Sequence, residues 1–218
     1  MSEREVLGFS VDVDRLWALV GSGQDADELL GKEAGAAADL DYHLAHTWPG
    51  MTTARLAADV FAGRLDERNA GDVTRLLVPV LSAVGIPVYD QEAIWLQETM
   101  FLAWGPVLGA LGLPTLAGLW ETSNVAWPWP RGTAPRSTWP IVTELPPAAV
   151  AAAAAEFEVG TGWRAAPPDE LLVDVDGEPL DDLDDAREEL AEHLDLLAAW
   201  VKRVPAGESL ILVIDGDQ

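Results

Sequence analysis

Apolar and polar positions change rhythm several times along the chain, and each change marks an element. Val6–Val13 alternates loosely and reads as a strand. From Val13 to Val20 the apolar positions Leu16, Leu19 and Val20 fall on one side of a helix. Asp12 is placed as its N-cap, and Gly21-Ser22-Gly23 ends it. A short helix is expected over 25–31, carrying Leu29 and Leu30. Residues 34–50 read as a Gly/Ala-rich connection closing in the Trp48-Pro49-Gly50 turn. Helical spacing returns at Thr53–Phe61 and at Ala70–Val84, where Pro79 inside the pattern predicts a kink or an early end. An extended piece follows over 85–89, then helices over 91–103, from Gly105-Pro106 to Leu111, and over 115–120.

In the last third, Ile141–Glu144 and Leu171–Val175 read as short strands, and Pro146-Pro147 opens a helix reaching Phe157. The clearest pattern is Asp182–Val204. Leu183, Ala186, Leu190, Leu194, Leu197, Val201 and Val204 recur at three and four residues and form one apolar stripe, while acids crowd the start and Lys202-Arg203 the end. Ser209–Ile214 is a closing strand. This order predicts an α+β fold in a single domain over 1–218. It is predominantly helical, with a small mixed sheet built partly from the N- and C-terminal strands.

One stretch competes with that reading. Thr99–Trp120 holds no charge over 22 residues, close to a membrane span. Pro106, Pro114 and four glycines weaken a single helix there, and the flanks, Glu98 and Glu121, are acidic rather than basic. Buried core is therefore expected, with membrane association through 99–120 as a minor alternative. Residues 1–10 lack the pattern of a signal peptide.

Charge changes the picture next. The 218 residues carry a formal net charge of −24 and no cysteine. Zero Cys removes disulfides, thiolate nucleophiles and Cys-based metal centres, and it suits a reducing, cytoplasmic location. So acidic a chain is not a phosphate-backbone binder, so nucleic acid is excluded as a partner. The charge is also uneven. Residues 169–195 hold 13 acids and a single Arg, Arg187.

Several stretches resemble a known family: Val11-Asp12-Val13-Asp14-Arg15-Leu16 leading to Val20-Gly21-Ser22-Gly23, the helices ending at Gly63 and at Ala83-Val84-Gly85, Leu119-Trp120, Trp127-Pro128-Trp129-Pro130, Trp139-Pro140, and the final helix with Trp200. Together they are similar to uncharacterised, mostly actinobacterial proteins related to the YfbM-like domain. The resemblance implies an α+β fold with a small mixed sheet and a soluble cytosolic protein. It implies no reaction. The Ala-rich run at 148–155 and the acidic stretch after Asp169 depart from it.

Candidate chemistry is sparse. His43 and His46, near Asp39 and Asp41, have two-ligand spacing but no third ligand at a diagnostic distance, so a surface or structural role is expected. Around Gly177 an EF-hand frame would place Leu172 and Leu183 at ligand positions, and it fails. His193 sits beside Glu189 and Glu192. Carboxylates one turn away raise an imidazole pKa, and an ordinary surface histidine is expected. No triad, Walker loop or dinucleotide fingerprint exists, so no catalytic residue, metal or cofactor is assigned.

Two surfaces remain. Residues 124–140 set Trp127, Trp129 and Trp139 among four prolines, with Arg131 and Arg136 and no acid. They read either as a ligand-binding surface or as a lid with buried tryptophans and paired arginines. The acidic segment offers Asp181, Asp182, Asp184, Asp185, Glu188, Glu189 and Glu192, either as a solvated face or as a docking surface for a basic protein. The leading expectation is a non-enzymatic acidic protein of inhibitory or immunity type, neutralising a basic partner such as a toxin acting on nucleic acid. The alternative is a small-molecule sensor or enzyme with its site under the Trp/Pro loop.

Overall fold

The computed structural model describes residues 3–31, 34–64, 70–88, 94–97, 105–122, 141–159, 162–173 and 178–216. Five strands, β1 (Glu3–Val11), β2 (Ile86–Pro87), β3 (Ile94–Gln97), β4 (Ile141–Leu145) and β5 (Ser209–Gly216), form one sheet in the order β2-β1-β5-β4, with β3 also on β1. β1 pairs with β5 over eight positions, from Arg4↔Gly216 to Val11↔Ser209, so the first and last strands lie side by side. β5 is central, because β4 occupies its other edge from Ile141↔Ile214 to Leu145↔Leu210.

Both faces of this sheet are covered. α1 (Val13–Ala18), α2 (Ala26–Leu30), α3 (Ala34–Thr47), α4 (Thr53–Phe61) and α5 (Ala70–Val84) belong to one side. There Leu16, Leu44, Leu56, Phe61 and Leu81 pack with Phe9, Val11, Ile211 and Val213. The other side takes α6 (105–110), α7 (Pro114–Thr122), α8 (Pro147–Val159) and α9 (Leu183–Arg203). On it Val107, Leu116, Phe157, Leu190, Leu194 and Trp200 pack with Val6, Leu210, Leu212 and Ile214. Side chains alternate across a strand, so a strand buried on both faces must be apolar at every position. Leu210 to Ile214 meet that demand, each 0% exposed. Burial of such a side chain contributes roughly 2 kcal/mol.

The architecture is α+β, and the sheet includes both terminal strands. Every pairing among the described residues is antiparallel rather than mixed. The reason is where the helical excursions begin and end. The chain leaves β1 at Val11, runs through α1–α5 and returns at Ile86, opposite Ser10, at the same end of the sheet. It leaves β4 at Leu145 and returns after α9 to Ser209 and Leu210, again at the end it left.

Local expectations fare unevenly. Asp12 caps α1 by accepting from the Arg15 N–H, and Asp25 caps α2 by accepting from Glu28. α5 continues through Pro79 to Val84 without an early end. The 34–50 connection is instead helix α3. Its alanines favour helix, and Leu40 and Leu44, one turn apart, are buried. Within 91–103, residues 94–97 are strand β3, not helix, because Ile94-Trp95-Leu96 finds the free edge of β1 opposite Arg4–Val6. Of the strand expected over 171–175, residues 174 and 175 lie outside the described residues, and 171–173 are not a strand: a 3-10 turn over Asp169–Leu171 leads to an isolated bridge between Val173 and Pro179. The uncharged stretch is broken where described. Gly112 (φ +80°) separates α6 from α7, and Val107, Leu108, Leu111, Leu113 and Leu116 are core. Among the described residues no helix is long and apolar enough to cross a membrane.

Two devices fix the helices α7, α8 and α9. The Thr115 N–H and hydroxyl donate to Glu156, which joins the start of α7 to α8. Gly8 lets Trp200, 1% exposed, lie directly on β1. A Cβ at position 8 would meet Trp200 Cε3 and Val88 Cγ2 at 2.8 Å each. Gly8→Ala is therefore expected to lower stability by about 1–3 kcal/mol through overpacking, read as the urea midpoint. An unchanged midpoint would contradict the seating of Trp200 on β1.

Candidate functional site

α9 presents three stripes at once. Its buried stripe is core, from Ala186 and Leu190 through Leu197, Trp200 and Val201. Its first turns carry the acids. Asp182 is the N-cap, accepting from the Asp184 and Asp185 N–H groups at 3.1 Å each. Such a cap contributes about 1 kcal/mol, so Asp182 has a structural duty as well as a charge. Asp181, Asp185, Glu188 and Glu192 are exposed, while Glu189 is half-buried. Positions 185, 188 and 192 follow helical spacing and form one solvent-facing carboxylate row. Carboxylates here also complement the positive end of the helix dipole. At the far end Arg203 donates to the Val88 carbonyl at 2.6 Å, fixing α9 beside β2.

The third stripe is a groove wall. Residues 162–172 run antiparallel to α9 and are strapped to it at two points. Arg164 Nη2 lies 3.1 Å from Asp195 Oδ1, and Arg187 Nη2 lies 2.5 Å from Asp169 Oδ1. The second Arg187 nitrogen, Nη1, donates to Asp184 at 2.7 Å. Between the straps lies an open groove of about 300 Å³. Its apolar lining is Leu111, Trp163, Pro167, Leu190, Ala191 and Leu194. Trp163 is held edge-on to Phe157 at 5.2 Å and donates its indole N–H to the Phe157 carbonyl at 3.1 Å. The Arg164 guanidinium sits 4.1 Å from the centre of the Trp163 ring. Arg187 has its pKa held above the ordinary value, foremost by its hydrogen bond to Asp169. Its Nε is buried with no acceptor among the described residues.

The candidates divide accordingly. The acidic residues of 181–192 come together on one helix end, with Arg187 neutralising part of Asp184 and Asp169. Trp127, Trp129, Arg131, Arg136 and Trp139 lie outside the described residues. His43 and His46 lie on α3, where His46 Nδ1 is 2.8 Å from the Tyr42 carbonyl oxygen and its ring rests on Tyr42. Asp41 accepts from the Thr53 N–H at 2.6 Å. Among the described residues no group of three or more His, Cys, Asp or Glu is arranged to hold a metal. The groove was not legible beforehand. Its only sequence signals are Trp163-Arg164 and the rigid Pro167-Pro168 pair, which say nothing of the facing wall on α9. Compared with family models, curated proteins and solved structures, the chain matches none.

His193 corrects an expectation. It is not a surface histidine with a raised pKa but is buried, 7% exposed, and burial pushes its pKa down to about 4. Desolvation of the cation is the cause: the imidazole faces inward, while Glu192 beside it in sequence is exposed. The folded state therefore holds His193 neutral where the unfolded chain, with a value of 6.5, takes up a proton. This contribution is complete above pH 6.5 and is lost as pH falls towards 4. His193→Gln cannot titrate. The stability lost between pH 7 and pH 4 should be roughly 3 kcal/mol smaller in the variant than in the parent, measured by urea unfolding at each pH. Identical acid limbs in the two proteins would contradict a neutral, buried His193.

Proposed function

We propose that the protein is a non-enzymatic acidic binding protein of inhibitory or immunity type. It engages a basic protein through the face formed by Asp181, Asp182, Asp184, Asp185, Glu188, Glu189 and Glu192. The observation that carries this reading is the exposed carboxylate row at positions 185, 188 and 192, held on a helix whose opposite side is deep in the core. A rigid, one-signed row focuses potential. It speeds encounter and orients a cationic partner more than it adds affinity. A cytoplasmic setting and kinship with the YfbM-like proteins belong to the same proposal, supported by the cysteine-free composition and by the stretches around Val11–Gly23 and Trp200.

The test is capture from the native host with the tagged protein, followed by salt titration of the complex formed. The expected partner is rich in Lys and Arg, and its affinity falls steeply as salt rises. Asp185→Asn, Glu188→Gln and Glu192→Gln combined, which spare the cap and the Arg187 contacts, should slow association by about tenfold or more. A complex indifferent to both salt and these substitutions overturns the electrostatic mechanism.

A further inference from the structure

We infer that the groove between 162–172 and α9 is the anchor site of the acidic face. It takes a short extended segment of the basic partner that places an apolar side chain against Trp163, Leu190 and Leu194. This rests on the reading of the acidic face as a docking surface and adds to it a location and a recognition chemistry.

Two observations converge. The first is dimension. The straps fall at positions 187 and 195 of α9, about 12 Å apart along a helix axis. At roughly 3.3 Å per residue the gap accepts three or four residues of extended chain. The second is charge. Each arginine at the groove is already matched by a carboxylate. Among the described residues the uncompensated charge beside it is negative, on Glu188 in the wall and on Asp185 and Glu192 in the same row of the helix. An anionic ligand is repelled there. A segment with an apolar centre flanked by Lys or Arg has its side chains matched on both counts. Central apolar anchors ringed by polar contacts are also how protein interfaces concentrate their energy.

The probes are two fluorescein-labelled synthetic hexapeptides of Lys, identical except that one has its two central residues replaced by Leu. Binding to the full chain is read by fluorescence anisotropy at low salt. The leucine peptide, despite its lower charge, should bind at least about tenfold more tightly than the all-lysine peptide. Ala191→Trp on the helix wall and Ala166→Trp on the facing wall, both at exposed positions, fill the groove from opposite sides. Each should bring the two peptides to equal affinity. The combined Asp185→Asn, Glu188→Gln and Glu192→Gln protein should weaken both peptides together. If the two peptides bind the parent equally, or the leucine advantage survives both tryptophan variants, the anchor groove is overturned while the acidic face stands. If neither peptide binds, the acidic face is overturned with it.

Discussion

The pairing of β1 with β5 is the contact on which the other layers depend. The two strands stand at opposite ends of the chain, and 198 positions separate Ser10 from Glu208, whose side chains meet at the end of the pair. Closing so long a loop costs entropy that grows only slowly with length, but nothing repays it until the strands are in register. Repayment comes from both faces at once. β5 has α1–α5 on one side and α6–α9 on the other, so placing its five consecutive apolar residues completes two cores together. Without β5, β4 would have no described neighbour and β1 would keep only β2 and β3.

α9 transmits that constraint to the surface. Trp200 rests on Gly8, Arg203 holds the strand end at Val88, and the buried stripe from Ala186 to Val201 sets the rotation of the helix about its axis. Once the rotation is set, side chains at other angles have no choice of direction. The 185, 188 and 192 row must face solvent, and Arg187, Ala191 and Asp195 must face the 162–172 segment. The acidic row and the groove therefore have fixed relative positions, with Glu188 common to both.

Electrostatics at this helix are arranged by cost. Exposed carboxylates repel one another only weakly in water, and those in the first turn are favoured by the helix dipole. The Arg164–Asp195 strap is largely exposed, with side chains 65% and 58% accessible. It is then worth at most about 1 kcal/mol. It registers the segment on the helix rather than holds the fold together. Buried Trp163, with its indole N–H satisfied by the Phe157 carbonyl, does more to fix the groove floor.

What the sequence determined by itself is local or periodic. Asp12 could be read as a cap because a cap needs only a short polar side chain before a helical pattern. The stripe of α9 was legible because three- and four-residue recurrence survives any tertiary context, and the α+β class followed from element order. The concentration of charge in 169–195 was equally plain. Other features depended on what each segment meets. Ile94–Gln97 became a strand because the edge of β1 was open to it, although its surroundings read as helix. Ala34–Thr47 became a helix because Leu40 and Leu44 found a core. His193 sits between acids in sequence, yet its environment is the interior, because the angle of its position on α9 outweighs its neighbours along the chain. The groove is the extreme case. Arg164 meets Asp195 and Arg187 meets Asp169 only after α9 has been rotated by a core built from both ends of the chain, and no spacing rule contains that information.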